Sequence, residues 1–197
     1  MIEIDRRIRP TLAAGVILLA LASGGCRLQP EEPGAVPPVA PPAAPPAAAV
    51  EIRNARTPLP GVLTGGQPTE VQIEQAAAAG YRTVVNLRTA GEQGSWDEAP
   101  KVEALGMRYV SIPVAGADGL DLENVRRLFD VLEDPSHYPV MVHCGSGNRI
   151  GALFALEAFH VDGKDAETAL AVGREAGLTG LEDAVRALLE SAGGSTP

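Results

Sequence analysis

Cysteine is scarce in this chain: there are two, Cys26 and Cys144, in 197 residues. That number excludes a disulfide framework. There are three histidines, and His137 and His160 stand alone and unclustered, which argues against a metal centre. Basic residues are outnumbered, with 16 Lys+Arg against 25 Asp+Glu and a formal charge of −9. An acidic chain is poorly suited to nucleic acid or to the steered capture of polyanions. The apolar run Thr11–Ser23 is too short for a comfortable transmembrane helix, and no internal repeat is present.

What the N-terminus does contain is a charged start, Arg6, Arg7 and Arg9, followed by that apolar run and by Ser23-Gly24-Gly25 ahead of Cys26. This is the layout of an export signal over residues 1–25. It resembles a bacterial lipobox, with Cys26 as the lipidated mature N-terminus, although Ser23 stands where Leu is usual. An ordinary cleaved signal or a short anchor is the alternative. Residues 26–50 then form a Pro/Ala-rich linker, with Pro37-Pro38, Pro41-Pro42 and Pro45-Pro46. Such a segment cannot pack a core and reads as an extended spacer holding a domain off a membrane. The expected location is that of an exported bacterial lipoprotein, membrane-attached on the periplasmic or cell-surface side. A lipidated Cys26 leaves Cys144 without a disulfide partner, and a free thiol in an oxidising compartment is a liability unless it has work to do.

From residue 51 to about 192 the pattern is that of one globular domain. Val62–Thr64, Tyr81–Leu87, Met107–Ile112 and Val140–His143 read as strands. Glu70–Ala79 reads as a helix capped by Thr69 and stopped by Gly80, and Glu98–Leu105 as a second ending at Gly106. Leu122, Val125, Leu128, Phe129 and Leu132 mark one face of a third. Ile150–Phe159, Asp165–Ala176 and Leu181–Ser191 complete a helical C-terminus. Strands alternating with helices predict an α/β fold with a mainly parallel central sheet flanked by helices. Ligands of such sheets bind at the carboxyl ends of the strands, where Cys144, Asn86-Leu87-Arg88 and the loop after Ile112 all fall.

The chemistry concentrates in Val140-Met-Val-His-Cys-Gly-Ser-Gly-Asn-Arg149. A β-branched run ends in His143 and Cys144, a small Gly-rich loop follows, and Arg149 opens an apolar helix. Backbone N–H groups of Gly145, Ser146, Gly147 and Asn148, with a helix N-terminus behind them, form an anion cradle. Such a setting lowers a cysteine pKa to roughly 3.5–7.5 and makes a thiolate at neutral pH. Arg149 can hold two oxygens of a tetrahedral oxyanion at once. The plainer reading is a buried core Cys beside a tight turn; small and polar residues from His143 to Arg149, where a core would want bulk, favour the reactive loop.

The chain resembles the dual-specificity and tyrosine phosphatase superfamily, and within it the bacterial phosphatase-like domain also found with beta-lactamase-hydrolase-like proteins. The resemblance covers about residues 55–190. It rests on Gly65-Gly-Gln-Pro-Thr69, Ala79-Gly-Tyr-Arg-Thr-Val-Val-Asn-Leu-Arg88, Leu105-Gly-Met-Arg-Tyr-Val-Ser-Ile-Pro113, Val142-His-Cys-Gly-Ser-Gly-Asn-Arg149 and Glu175-Ala-Gly-Leu178, in that order. It implies a cysteine phosphatase-like fold and hydrolysis of phosphate monoesters, phosphotyrosine among them, through a phosphocysteine. Carried over, Cys144 is the nucleophile, Arg149 binds phosphate, and His143 supports the thiol from the strand end and joins Gly145–Asn148 in the substrate-binding set. No cofactor or metal is implied; the partners are a phosphorylated protein or small molecule and a membrane met through the N-terminal lipid, with no nucleic acid. The general acid is an Asp on the loop before the helix preceding the Cys strand, where Asp118 and Asp121 both lie. Asp121 fits an N-cap, so Asp118 in Gly116-Ala-Asp-Gly119 is taken as the acid, with Asp121 the alternative.

Two departures keep other functions open. Four residues separate Cys144 from Arg149 where those phosphatases usually have five, and the shorter ring resembles that of rhodanese sulfurtransferases. Ile150 occupies the place usually held by Ser or Thr. A third possibility is a non-catalytic module that only binds phosphate. Arg88 is open between facing the site and solvating a loop, and Trp96 between flanking the pocket and covering the sheet edge.

Overall fold

The computed structural model describes residues 50–92 and 94–193. The signal segment, Cys26 and all of the Pro/Ala-rich linker except Val50 lie outside them. Among the described residues no helix is long and apolar enough to cross a membrane.

Short β-branched and apolar segments supply the strands β1 (Arg56–Leu59), β2 (Val62–Gly65), β3 (Thr83–Asn86), β4 (Arg108–Ser111) and β5 (Val140–His143). They form a five-stranded sheet in the order β1-β2-β5-β3-β4. All neighbours pair in parallel except β1, which joins β2 antiparallel at one edge. The helices are α1 (Glu70–Ala78), α2 (Glu98–Ala104), α3 (Leu122–Glu133), α4 (Asn148–His160), α5 (Ala166–Ala176) and α6 (Glu182–Gly193). Thr69 caps α1 in a full capping box with Gln72. Asp121 and Asp165 cap α3 and α5 through their side chains.

Side chains alternate across the sheet and divide the core in two. Val85, Leu87, Val140 and Val142 face α3, α4 and their neighbours in the larger cluster, which includes Cys144. Val84, Met141 and Leu63 face Ile73 of α1 and Val102 of α2 in the smaller. Asn86 and His143 are register partners at the carboxyl ends of β3 and β5. Each continues the row of Val84 or Met141, so both are directed to the α2 side. Helix α4 runs from the end of β5 with every residue from Arg149 to Ala158 buried. It approaches α5 at two glycines: a Cβ on Gly151 would lie 2.0 Å from Leu178 N, and one on Gly173 2.7 Å from Gly151 O.

Candidate active site

Strand β5 lies at the centre of the sheet, and its last peptide is fixed from both sides. Leu87 N–H donates to His143 O at 2.9 Å and Cys144 N–H to Gly65 O at 3.2 Å. The chain then turns through Gly147, the N-cap of α4, in the left-handed region at φ 94°. This turn brings the Gly147 N–H to 3.1 Å from Cys144 Sγ. The thiol is buried, at 1% exposure, and faces the N-terminus of a 13-residue helix. Close approach by Gly65 and Gly66 frames the loop: a Cβ on Gly65 would lie 2.6 Å from Ile52 Cδ1, and one on Gly66 3.2 Å from Gly145 O. Asn54 donates to Ser146 O at 3.0 Å. The Asn148 side chain turns away and accepts from Thr179 N (2.8 Å) and Leu181 N (3.3 Å). What Asn148 offers the cradle is backbone.

Arg149 is buried, and four oxygens hold it. Nη1 donates to Val114 O at 2.8 Å, to Leu87 O at 3.3 Å and to Glu92 Oε1 at 2.7 Å, while Nη2 donates to Glu92 Oε2 at 2.5 Å. Glu92 is itself fixed by Thr89, whose N–H and Oγ1 donate to Oε1 at 3.1 and 2.9 Å. The hydrogen bond from Arg149 holds the Glu92 carboxyl down to about 2 and in turn raises the Arg149 guanidinium. Glu92 takes the Nη1–Nη2 edge of the fork. The Nε–Nη2 edge takes no protein oxygen among the described residues, and the guanidinium also interacts with the Cys144 side chain. Glu92 does not figure in the sequence reading; its one signal is the Thr89-x-x-Glu92 spacing, which marks a local cap and says nothing of Arg149.

The sequence reading places His143 among the substrate-binding residues. Its imidazole is instead fully buried on the α2 side, with Nε2 2.6 Å from Glu98 Oε1 in a close contact that lacks the alignment of a hydrogen bond. Alternation along β5 puts it on the opposite face from the larger cluster, so it supports the loop from behind. Arg88 neither faces the site nor solvates a loop: it is buried and bonded to Glu98 Oε2 at 2.6 Å. Trp96 is half-buried against the smaller cluster.

Of the two candidate acids, Asp121 accepts from Asn124 N at 2.8 Å as the cap of α3. Asp118 is exposed in the turn 116–119 and makes no hydrogen bond or ion pair among the described residues. It lies four residues past Val114, whose carbonyl holds Arg149, so the turn hangs from the arginine without touching Cys144 or Arg149 through Asp118. A cavity of about 520 Å3 lined by Val50, Ile52, Leu63 and Tyr81 opens at the β1 side and shares no lining residue with the loop.

Residues 52–179 match the family model described as DSP-PTPase phosphatase fused to NAD+ kinase. The chain is 32% identical over 105 residues to a beta-lactamase hydrolase-like protein of Xylella fastidiosa, covering 50% of this chain and 23% of that protein. It therefore spans less than a quarter of that relative. In fold it is similar to TpbA of Pseudomonas aeruginosa, at TM-score 0.53 and 22% identity over 74% of this chain and 91% of that one. It is likewise similar to the core catalytic domain of the PP-IP phosphatase SIW14 from S. cerevisiae, at TM-score 0.54 and 11% identity over 72% and 88%.

Proposed function

Because the chain belongs to the DSP-PTPase family of phosphatases described as fused to NAD+ kinase, we propose that it hydrolyses phosphate monoesters through Cys144. One observation carries the reading: the Cys144 Sγ receives the Gly147 N–H at a helix N-terminus and interacts with the Arg149 guanidinium, whose Nε–Nη2 edge takes no protein oxygen among the described residues. That is a nucleophile and an oxyanion clamp on one loop.

The reaction has two steps. The Cys144 thiolate attacks phosphorus, the bond from phosphorus to the leaving oxygen breaks, and that oxygen takes the Asp118 proton. Water then attacks the phosphocysteine and returns a proton to Asp118; the S–P bond breaks, releasing phosphate and the thiolate. The Nε–Nη2 edge of Arg149 and the loop N–H groups hold the equatorial oxygens. The substrate is a phosphorylated protein or small molecule, phosphotyrosine included. No metal or cofactor enters these steps. The domain works outside the cytoplasm, tethered through a lipid on Cys26 with residues 26–50 as spacer.

The four-residue gap from Cys144 to Arg149 keeps sulfur transfer as a second reading. Against it, α4 is followed among the described residues by two helices and no strand. The test is turnover of p-nitrophenyl phosphate and thiosulfate:cyanide transfer by the wild type, Cys144→Ser and Asp118→Asn. Phosphatase activity should vanish in Cys144→Ser. Asp118→Asn should slow alkyl phosphates by about 10²–10⁴-fold and p-nitrophenyl phosphate much less, because a good leaving group departs without a proton. Thiosulfate:cyanide transfer without ester hydrolysis would overturn the reading.

A further inference from the structure

Behind the loop, on the far side of β5 and β3, lies a cluster of buried polar groups that the two-step reaction does not use. Glu98, in the first turn of α2, is 1% exposed. Its Oε1 lies 2.6 Å from His143 Nε2, and its Oε2 accepts from Arg88 Nη2 at 2.6 Å and from Asn86 Nδ2 at 3.1 Å. Asn86 Nδ2 also donates to Tyr109 Oη at 2.8 Å. Arg88 uses its remaining nitrogens to bind Asn86 Oδ1 (3.2 Å) and the Glu92 carbonyl (2.9 Å).

Two chains of contact therefore leave one carboxylate. The first runs through the His143 imidazole to the residue joined to Cys144. The second runs through the Arg88 fork to the Glu92 backbone, whose side chain holds Arg149 at both Nη atoms. Burying a carboxylate, a guanidinium and an imidazole together is costly, and apolar residues replacing Arg88, Glu98 and His143 together would escape that cost, whereas loss of Glu98 alone would strand the buried Arg88 guanidinium. Such a cluster is poorly explained as a source of stability. It does fix directions: the Arg88 fork, Glu98 Oε2 and Asn86 are tied by hydrogen bonds, and Glu98 Oε1 is held close against the His143 ring.

We propose that Glu98 is a positioning residue that sets both ends of the Cys144–Arg149 loop at once, the thiol through His143 and the guanidinium through Arg88 and Glu92. The proposal rests on the reading of that loop as the reactive site. It assigns different duties to the two arms. Replacing Glu98 by Gln presents an amide to His143 and weakens both arms. Replacing Arg88 by Lys keeps a charge for Glu98 but loses the fork that also reaches the Glu92 carbonyl, so only the guanidinium end is released.

The experiment is the rate of Cys144 alkylation by iodoacetamide in the full chain, followed by intact mass, with inorganic phosphate titrated in as protector. It reads the thiol end from the rate and the arginine end from the protecting concentration, and needs no turnover. Glu98→Gln should slow alkylation about tenfold and raise the protecting phosphate concentration about tenfold. Arg88→Lys should raise the protecting concentration by a similar factor and leave the alkylation rate within about twofold. Cooperative thermal unfolding checks that each variant is folded; should Glu98→Gln fail to fold, the split in Arg88→Lys decides alone. Wild-type values in folded Glu98→Gln, or an Arg88→Lys variant whose alkylation slows as much as its protection weakens, would overturn the proposal. Undiminished ester turnover by Cys144→Ser would instead overturn the nucleophile, and the alkylation test of Glu98 would stand apart from it.

Discussion

Arg149 is a side chain whose position is fixed almost wholly by partners distant in sequence. Two carbonyls, from Leu87 and Val114, and both oxygens of Glu92 converge on it. The Glu92 carboxyl is held at about 2 by the arginine, against an ordinary 4.5. A depressed carboxyl contributes stability that is full above its unfolded value and is lost as pH falls toward its folded value. Glu92→Gln should therefore lower the melting temperature by an amount that is constant from about pH 5 to 8 and fades between about pH 4.5 and 2. Melting curves of both proteins across that range check this; a difference that widens on acidification would contradict it. At this scale the sequence was legible only where the chemistry is contiguous. Cys144, the glycines and Arg149 stand on one loop, where the structure keeps them together. Glu92, fifty-seven residues from its partner, and Glu98 look like ordinary acids until the fold brings them to Arg149 and His143.

Among the elements, the tightest constraint on the loop is the crossing of α4 over α5. Gly151 stands two residues past Arg149, with Leu178 N where a Cβ would go. Backbone cannot yield as a flexible side chain does, so Gly151→Ala should cost about 1–3 kcal/mol by overpacking. Urea unfolding of the variant measures it, and an unchanged midpoint would mean that the helices separate freely there. Capping and periodicity made the helices readable: Thr69, Gly80, Gly106, Asp121 and Asp165 bound them within a residue or two. Strand β1 escaped because Arg56-Thr-Pro-Leu59 contains Pro58, lies at an edge and is mostly exposed, so it carries no apolar alternation. The strand expected over Tyr81–Leu87 shrinks to Thr83–Asn86, since Tyr81 N–H closes the end of α1 on Ala76 O.

In the molecule as a whole, the parallel order of β2, β5, β3 and β4 carries the carboxyl ends of these strands to one edge, as the alternation of strands and helices implied. Topology could not reveal the arrangement across the sheet, with the thiol on one side and the buried Glu98 cluster on the other. That follows from the pleat, which sends His143 and Asn86 toward α2. The proposed tether gives a prediction for the full chain: Cys26→Ala should abolish lipid labelling and leave the protein unprocessed or in the soluble fraction. Unchanged labelling would refute an anchor at Cys26. The central claim, that Cys144 takes the phosphoryl group, is tested most directly by rapid quenching of the enzyme during turnover of a radiolabelled phosphate monoester. The account predicts phosphate bound to the peptide containing Cys144 and none in Cys144→Ser. Steady hydrolysis with no label on that peptide, undiminished when Cys144 is replaced, would contradict it.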